Sequence, residues 1–314
     1  DVCSSDLWGK VEDSSSTWIV RGGLVQGQEN KITHMSEQKH FKLAGVMGMP
    51  VIQSRSPIIH NHWIKKYGVR GAYGHFPVQI QNVEAAVRGL SALGLVGCNI
   101  TQPHKMMAFK WMDQLSPMAQ RMGAINCIVV QADGSLHGHN HDGYGFIQSL
   151  KEVDAAWRAD NGPVCVIGAG GAAHAVVISL LDEGVQEIRL INRTRAKADE
   201  LASIHPAIIK PCDWTQRHSA LDGAAMLVNT TNQGMYGQAP LDMTLDALPR
   251  AAMVCDLVYV PLETPLLAAA RARGHPTTNG LGMLLHQAVP AFESWFGVKP
   301  EITEALRQEI LATF

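Results

Sequence analysis

The stretch "VCVIGAGGAAHA", Val164–Ala175, decides how the rest of this 314-residue chain is read. The β-branched run "PVCVIGAG" has the texture of a buried strand, and "GAAHAVVISLLDEG" that of a helix. At their junction stand Gly168, Gly170 and Ala173, spaced G-x-G-x-x-A. Gly168 permits a tight turn, Gly170 lets the backbone approach a pyrophosphate, and Ala173 lets the helix pack closely on its strand. The helix N-terminus adds free N–H groups and the positive end of a dipole. Gly168, Ala169, Gly170, Gly171 and Ala172 are therefore candidates for holding a dinucleotide; a glycine turn of purely structural use is the alternative.

The next strand, "EIRLINR", names the cofactor. A turn that binds NAD carries an Asp or Glu about twenty residues on, for the ribose 2′-OH. Here the strand runs into Asn192, Arg193, Thr194, Arg195 and Lys197, with three cations and no carboxylate at the turn. A 2′-phosphate would satisfy them, which favours NADP(H) and adds Asn192, Arg193, Thr194 and Lys197 to the cofactor set. The alternative is a solvated basic start to a helix, but an Arg in a first turn opposes the helix dipole unless an anion is bound.

Outward from this unit the pattern repeats. "RAKADELASIH" reads as a helix, "AMLVNTT" and "MVCDLVY" as strands, and "PLLAAARARG" as a helix. On the N-terminal side, "KLAGVMG", "GAYGHFPV" and "GLVGCNIT" read as strands. "SPIIHNHWIKKYG" and "QNVEAAVRGLSALG" are helices between them, and "AINCIVVQADGSLHGHN" is a hairpin turning at Asp133-Gly134. Two more helices, "LGMLLHQAVPAFESWFG" and "PEITEALRQEILATF", end the chain. Alternating strands and helices predict parallel sheets with helical crossovers. The length suits two domains, with a boundary between Asp142 and Pro163. The expected class is α/β, two α/β domains around a cleft, the second Rossmann-like.

Composition narrows the function. Hydrophobic residues are 46%, charged residues 17% and net charge −2, so neither nucleic acid nor an anionic membrane finds an electrostatic footprint. No apolar run is long enough for a transmembrane helix. The six cysteines form no CxxC pair and mostly sit in strand-like runs, which implies reduced, buried thiols and a cytoplasmic location. Oligomeric state is left at monomer or homodimer. Residues 1–34 lack an apolar period, and residues 1–40 are expected to lie outside the fold. "DVCSSDL" matches the translation of a common sequencing adapter, so a read-through artefact with a natural start at Met35 is expected; the alternative is a genuine disordered extension.

Polar clusters remain. "QSRSP" gives Ser54 and Ser56, "NITQPHK" gives Asn99, Thr101 and Lys105, "GAIN" gives Asn126, "GHNHDG" gives Asn140 and Asp142, and "NGLGMLLHQA" gives Gln287. Hydroxyls, amides and one acid–base pair suit a small hydroxylated carboxylate. Pro103 is read as starting a helix that aims Lys105 into the crevice beyond a strand's carboxyl end. Taken alone, Lys105 could be an exposed helix lysine and Asp142 a helix cap.

From Lys42 almost to the C-terminus, the order of "SRSP", "NITQPHK", "GAIN", "NHDG", "GAGGA", "NRT", "NTTNQGM", "DLVYVPLETPLL" and "GLGMLLHQA" resembles the shikimate dehydrogenase family. The resemblance implies oxidation of the shikimate C3 hydroxyl with NADP⁺, or reduction of 3-dehydroshikimate with NADPH. It implies Lys105 and Asp142 as the catalytic pair and Ser54 and Ser56 on the substrate carboxylate. Asn99, Thr101, Asn126, Tyr259 and Gln287 become further substrate contacts, and Gly280 a cofactor contact. It divides the chain into a substrate-binding catalytic domain, 41–142, completed by helices 282–314, and an NADP-binding domain, 143–281. His141 stands where the family commonly has Thr. With His137 and His139 it makes "HGHNHD", whose alternation puts three imidazoles on one strand face; no metal is expected, for want of a ligand from a third segment. Should Lys105 not accept the proton, His141 and Tyr259 are next in line. Alternatives are a quinate/shikimate dehydrogenase with relaxed substrate or NAD use, and a catalytically silent, ligand-sensing homologue.

Overall fold

A computed structural model describes residues 41–314. The expectations for residues 1–40, including the start at Met35 and the state of Cys3, lie outside the described residues. The first sheet gathers β1 (Lys42–Gly48), β2 (Gly71–Pro77), β3 (Leu95–Ile100), β4 (Gln114–Leu115), β5 (Cys127–Val130) and β6 (Leu136–His139) in the order β2-β1-β3-β5-β6-β4. β1 runs parallel to β2 and β3, while β5 is antiparallel to both β3 and β6, closing the hairpin read around Asp133-Gly134. α1 (Ser56–Lys66) and α2 (Val83–Ala92) make the crossovers; the short α3 (Lys105–Ala108) and α4 (Pro117–Met122) follow.

α5 (Asp142–Val153) leads to the second sheet. β7 (Val164–Ile167), β8 (Ile188–Ile191), β9 (Ile209–Cys212), β10 (Met226–Asn229), β11 (Met253–Asp256) and β12 (Thr277–Asn279) lie in the order β12-β11-β10-β7-β8-β9, every pair parallel. α6 (Gly171–Asp182), α7 (Arg195–Ala202) and α8 (Pro265–Ala272) are its helices. This is the two-sheet α/β architecture the alternation predicts. Three strands went unread: β4, β9 and β12. They are two to four residues long and lie at sheet edges, where polar residues and Pro211 are tolerated because one ladder side is free.

α9 (Gly280–Phe296) starts at the end of β12, with the Asn279 side chain accepting from Leu281 N at 3.1 Å, and returns to the first sheet. There Leu285, Phe292 and Trp295 join Val46, Ile59 and Trp63 in one core, which α10 (Glu304–Leu311) completes with Leu306 and Ile310. Trp295 Nε1 donates to Ile128 O at 2.9 Å across the sheet. A Cβ on Gly97 would sit 2.0 Å from that nitrogen and 2.3 Å from Ile128 O, so β3 needs glycine where the indole crosses it. α9 also packs closely on α5, where a Cβ on Gly145 would meet Met283 O at 2.6 Å. Among the described residues no helix is long and apolar enough to cross a membrane.

Candidate active site

The carboxyl ends of both sheets open on one cavity of about 310 Å³. Ser54 and Ser56 follow β1, Thr101 and Lys105 follow β3, and Asp142 follows β6; Tyr259 comes after β11 and Gln287 from α9. With Asn99 and Asn126, all nine residues read from the sequence as catalytic or substrate-binding line this cavity. Ala172 and Gly280 of the cofactor set line it too.

At its centre Lys105 Nζ donates to Asp142 Oδ2 at 2.6 Å. The pair is partly buried, with side-chain exposures of 27% and 15%. Asp142 is the first residue of α5, where the helix dipole favours a negative charge. Its other oxygen accepts from Asn126 Nδ2 at 2.8 Å, and its backbone N–H donates to Asn140 Oδ1 at 3.0 Å. Asn126 Oδ1 accepts from His141 N at 3.0 Å, which fixes the amide, and Asn126 Nδ2 also reaches Gln287 Oε1 at 3.4 Å. The carboxylate is thus oriented by a second lobe of hydrogen bonds as well as by the ammonium.

Pro103 does not begin the helix. It lies in a turn closed by His104 N donating to Thr101 O at 3.0 Å, and α3 starts only at Lys105. The turn keeps Thr101 and Lys105 on the same wall. After β1, Ser54 Oγ donates to Ser56 Oγ at 3.2 Å and accepts from Ser56 N at 3.3 Å. Burial raises the Tyr259 phenol above its usual range, with Arg55 opposing, so it keeps its proton. His141 is not among the lining residues, and burial holds its imidazole at about 4, neutral near pH 7; His139 adds to this and Asp142 works against it. His139 and His141 stack at 5.7 Å between centroids, and among the described residues no three His, Cys, Asp or Glu are grouped to hold a metal ion.

The glycine turn joins β7 to α6. Gly168 has φ 113°, and a Cβ there would lie 2.4 Å from Thr230 Oγ1. Gly170 caps α6 without a side-chain bond, and a Cβ on Gly170 or Gly171 would meet nothing within 4 Å. The turn is therefore open at the start of α6, where the N–H groups of a helix N-terminus suit a pyrophosphate. Past β8, Asn192 Nδ2 donates to Thr194 O at 2.8 Å. The three cations divide. Arg195 is bound by Asp199 at 2.8 Å and Asp213 at 3.0 Å, so it needs no external anion to sit in the first turn of α7. Arg193 and Lys197 are exposed and, among the described residues, pair with no carboxylate.

Three sequence profiles match the chain: "Shikimate dehydrogenase substrate binding domain" over 46–128, "Shikimate / quinate 5-dehydrogenase" over 152–240, and "Shikimate 5'-dehydrogenase C-terminal domain" over 280–311. The chain is 49% identical over 271 residues to the shikimate dehydrogenase (NADP(+)) of Paramagnetospirillum magneticum, covering 86% of this chain and 98% of that protein. This chain belongs to the shikimate dehydrogenase family. Its solved relatives include the quinate dehydrogenase of Corynebacterium glutamicum in complex with NAD, at 30% identity and TM-score 0.81 over 87% of this chain and 100% of that one. They also include the Thermus thermophilus shikimate 5-dehydrogenase in complex with NADP(H) and shikimate, at 32% identity and TM-score 0.76 over 85% and 99%.

The shikimate dehydrogenase motifs leave out Tyr73, whose phenol donates to Asn99 Oδ1 at 2.6 Å from β2; Asn140, read among the polar clusters, does not line the cavity but holds the Asp142 backbone and donates to Ala124 O at 3.1 Å. Asn140 stands inside a quoted motif. Tyr73 sits in a strand whose alternation marks it only as inward-facing.

Proposed function

We propose that this chain is an NADP-dependent shikimate dehydrogenase, interconverting shikimate and 3-dehydroshikimate. The observation that carries the reading is the Lys105–Asp142 pair, 2.6 Å apart, in a cavity ringed by serine, threonine and amide groups and bounded by Ala172 of the glycine turn. When bound, the nicotinamide supplies the hydride acceptor or donor. The protein's own task is the proton. Lys105, as the neutral amine, takes it from the substrate hydroxyl on oxidation and, as the ammonium, returns it on reduction, while Asp142 holds Nζ in place and Asn126 holds Asp142. Ser54 and Ser56 grip the carboxylate, and Asn99, Thr101, Tyr259 and Gln287 engage the remaining oxygens.

Gly168, Ala169, Gly170, Gly171 and Ala172 would hold the pyrophosphate, with Gly280 beside the nicotinamide end. Asn192, Arg193, Thr194 and Lys197 would take the 2′-phosphate side. Residues 41–142 with 282–314 form the substrate-binding catalytic part and 143–281 the cofactor part. The enzyme would work in the cytoplasm, as monomer or homodimer; Cys98, Cys127, Cys165, Cys212 and Cys255, all free thiols, accord with a reducing compartment. Steady-state kinetics with shikimate and quinate against NADP⁺ and NAD⁺ tests the reading. The highest kcat/KM is expected for shikimate with NADP⁺. A preference for quinate with NAD⁺ would favour the second member of the family, and absence of turnover with all four pairs would overturn an enzymatic role.

A further inference from the structure

Around Asn99 stand Tyr73, His60 and Asn61, groups that the proposed mechanism does not use. Asn99, buried at the end of β3, has its side-chain amide fixed at both ends. Its Nδ2 lies 2.9 Å from Asn126 O, a carbonyl that only accepts, so that end of the amide must be the nitrogen. Its Oδ1 then faces the Tyr73 phenol at 2.6 Å, and the phenol must donate. Burial pushes the Tyr73 hydroxyl well above its usual range, with Ser56 opposing, so the donor stays protonated at working pH. One N–H of Asn99 is left over, and Asn99 lines the cavity.

Tyr73 is itself mounted by two successive residues of α1. Asn61 Nδ2 donates to Tyr73 O at 2.9 Å, and Asn61 Oδ1 accepts from Tyr73 N at 3.0 Å. His60 lies flat on the phenol ring, 4.2 Å between centroids and 9° between planes. The imidazole is fully buried and neither ring nitrogen has a hydrogen-bond partner. Burial drives its pKa to about 3, against a smaller pull from Asn99, so it remains neutral. The same helix presents Ser56 to the cavity from its first turn.

We infer that Tyr73, clamped by His60 and Asn61, is a positioning residue that locks the Asn99 amide so that it offers substrate a hydrogen-bond donor and never an acceptor. The inference rests on the proposed function for the identity of the substrate, but its geometry does not. Asn99 would then recognise a lone pair of a hydroxyl or carboxylate oxygen. α1 would couple that contact to the Ser56 contact, since one helix mounts both.

The test is a double-mutant cycle of Tyr73→Phe and Asn99→Ala, read as KM for shikimate, KM for NADP⁺ and kcat. Tyr73→Phe keeps the ring on His60 and removes only the donor. It is expected to raise the shikimate KM roughly tenfold, the worth of one lost hydrogen bond, while kcat and the NADP⁺ KM stay within about twofold. In the Asn99→Ala background it should have no further effect. An equal factor in both backgrounds, or no effect in either, overturns the inference. Asn61→Ala is a second probe: it loosens the mount while leaving the phenol, and should raise the same KM only when Asn99 is present. The wild-type rate with shikimate and NADP⁺ tests the function separately. Side-chain amide exchange of Asn99 tests the lock even if that rate is nil: exchange should be slow in the wild type and faster in Tyr73→Phe, and equal rates would refute it.

Discussion

At the scale of single residues, the proposed function rests on Lys105 and Asp142, 2.6 Å apart. Lys105→Ala is expected to lower kcat by roughly 10²- to 10⁴-fold, the usual worth of a positioned acid–base group, with little change in NADP⁺ affinity. Asp142→Asn should lower kcat as well, and the double variant should lose far less than the product of the single losses, because one side chain works through the other across 2.6 Å. Strict multiplicativity in the measured rates would separate their roles. The cations after β8 make a paired prediction. Arg193→Asp should weaken NADP⁺ and favour NAD⁺, whereas Arg195→Ala should leave the cofactor ratio unchanged, since Asp199 and Asp213 already occupy its guanidinium. Kinetics with both cofactors check both, and equal effects from the two substitutions would refute the division. The sequence could count three charges at this turn; it could not tell which was spent within the protein, because Asp213 arrives from beyond β9, eighteen residues on.

At the scale of elements, long apolar runs were legible and short edges were not. β1, β3, β7, β10 and β11 are internal strands, and their continuous burial writes itself into the chain as Val, Ile, Leu and Cys. β9 and β12 face solvent along one edge and carry no such mark. Likewise the cavity-lining side chains sit in motifs next to turns, whereas Tyr73 acts from inside a strand. Glycine in β3 was also silent: nothing near "LVGCNI" announces a tryptophan nearly two hundred residues away. Gly97→Ala should therefore be costly, by at least about 1–3 kcal/mol, because backbone and indole on both sides leave no room to yield. A denaturant midpoint close to wild type would mean that Trp295 can move aside. Ser54→Ala with Ser56→Ala acts at the mouth of α1 and should raise the shikimate KM more than it lowers kcat, since the carboxylate is remote from C3; a collapse of kcat at constant KM would contradict it.

For the whole molecule, stability carries a pH signature from Asp256. This carboxyl, buried between β10 and β11, accepts from Asn229 at 2.9 Å, Val258 N at 3.1 Å and Thr264 at 2.6 Å. Burial still outweighs those bonds and raises its pKa from 3.8 to about 6. Between those values the folded protein holds a proton that the unfolded chain has lost, so this group favours folding at low pH and its contribution falls as pH rises through about 6. Asp256→Asn removes the titration. Its melting temperature relative to wild type should therefore climb between pH 4 and pH 7, and a constant difference across that range would show the carboxyl to be ordinary.

The return of α9 and α10 to the first sheet has a consequence for how the protein is born. A chain leaving the ribosome delivers β1, β2 and α1 early, yet Val46, Ile59 and Trp63 find their cover only when Leu285, Phe292, Trp295 and Leu306 follow, after the whole second sheet. The second sheet needs no such wait, for its six strands lie within 164–279. What is made first is finished last. In nascent chains stalled with residue 279 clear of the tunnel, the second sheet should resist protease while the first is digested, and protection of the first should appear once residue 311 has emerged. Until then its apolar face is exposed to any chaperone that meets the growing chain.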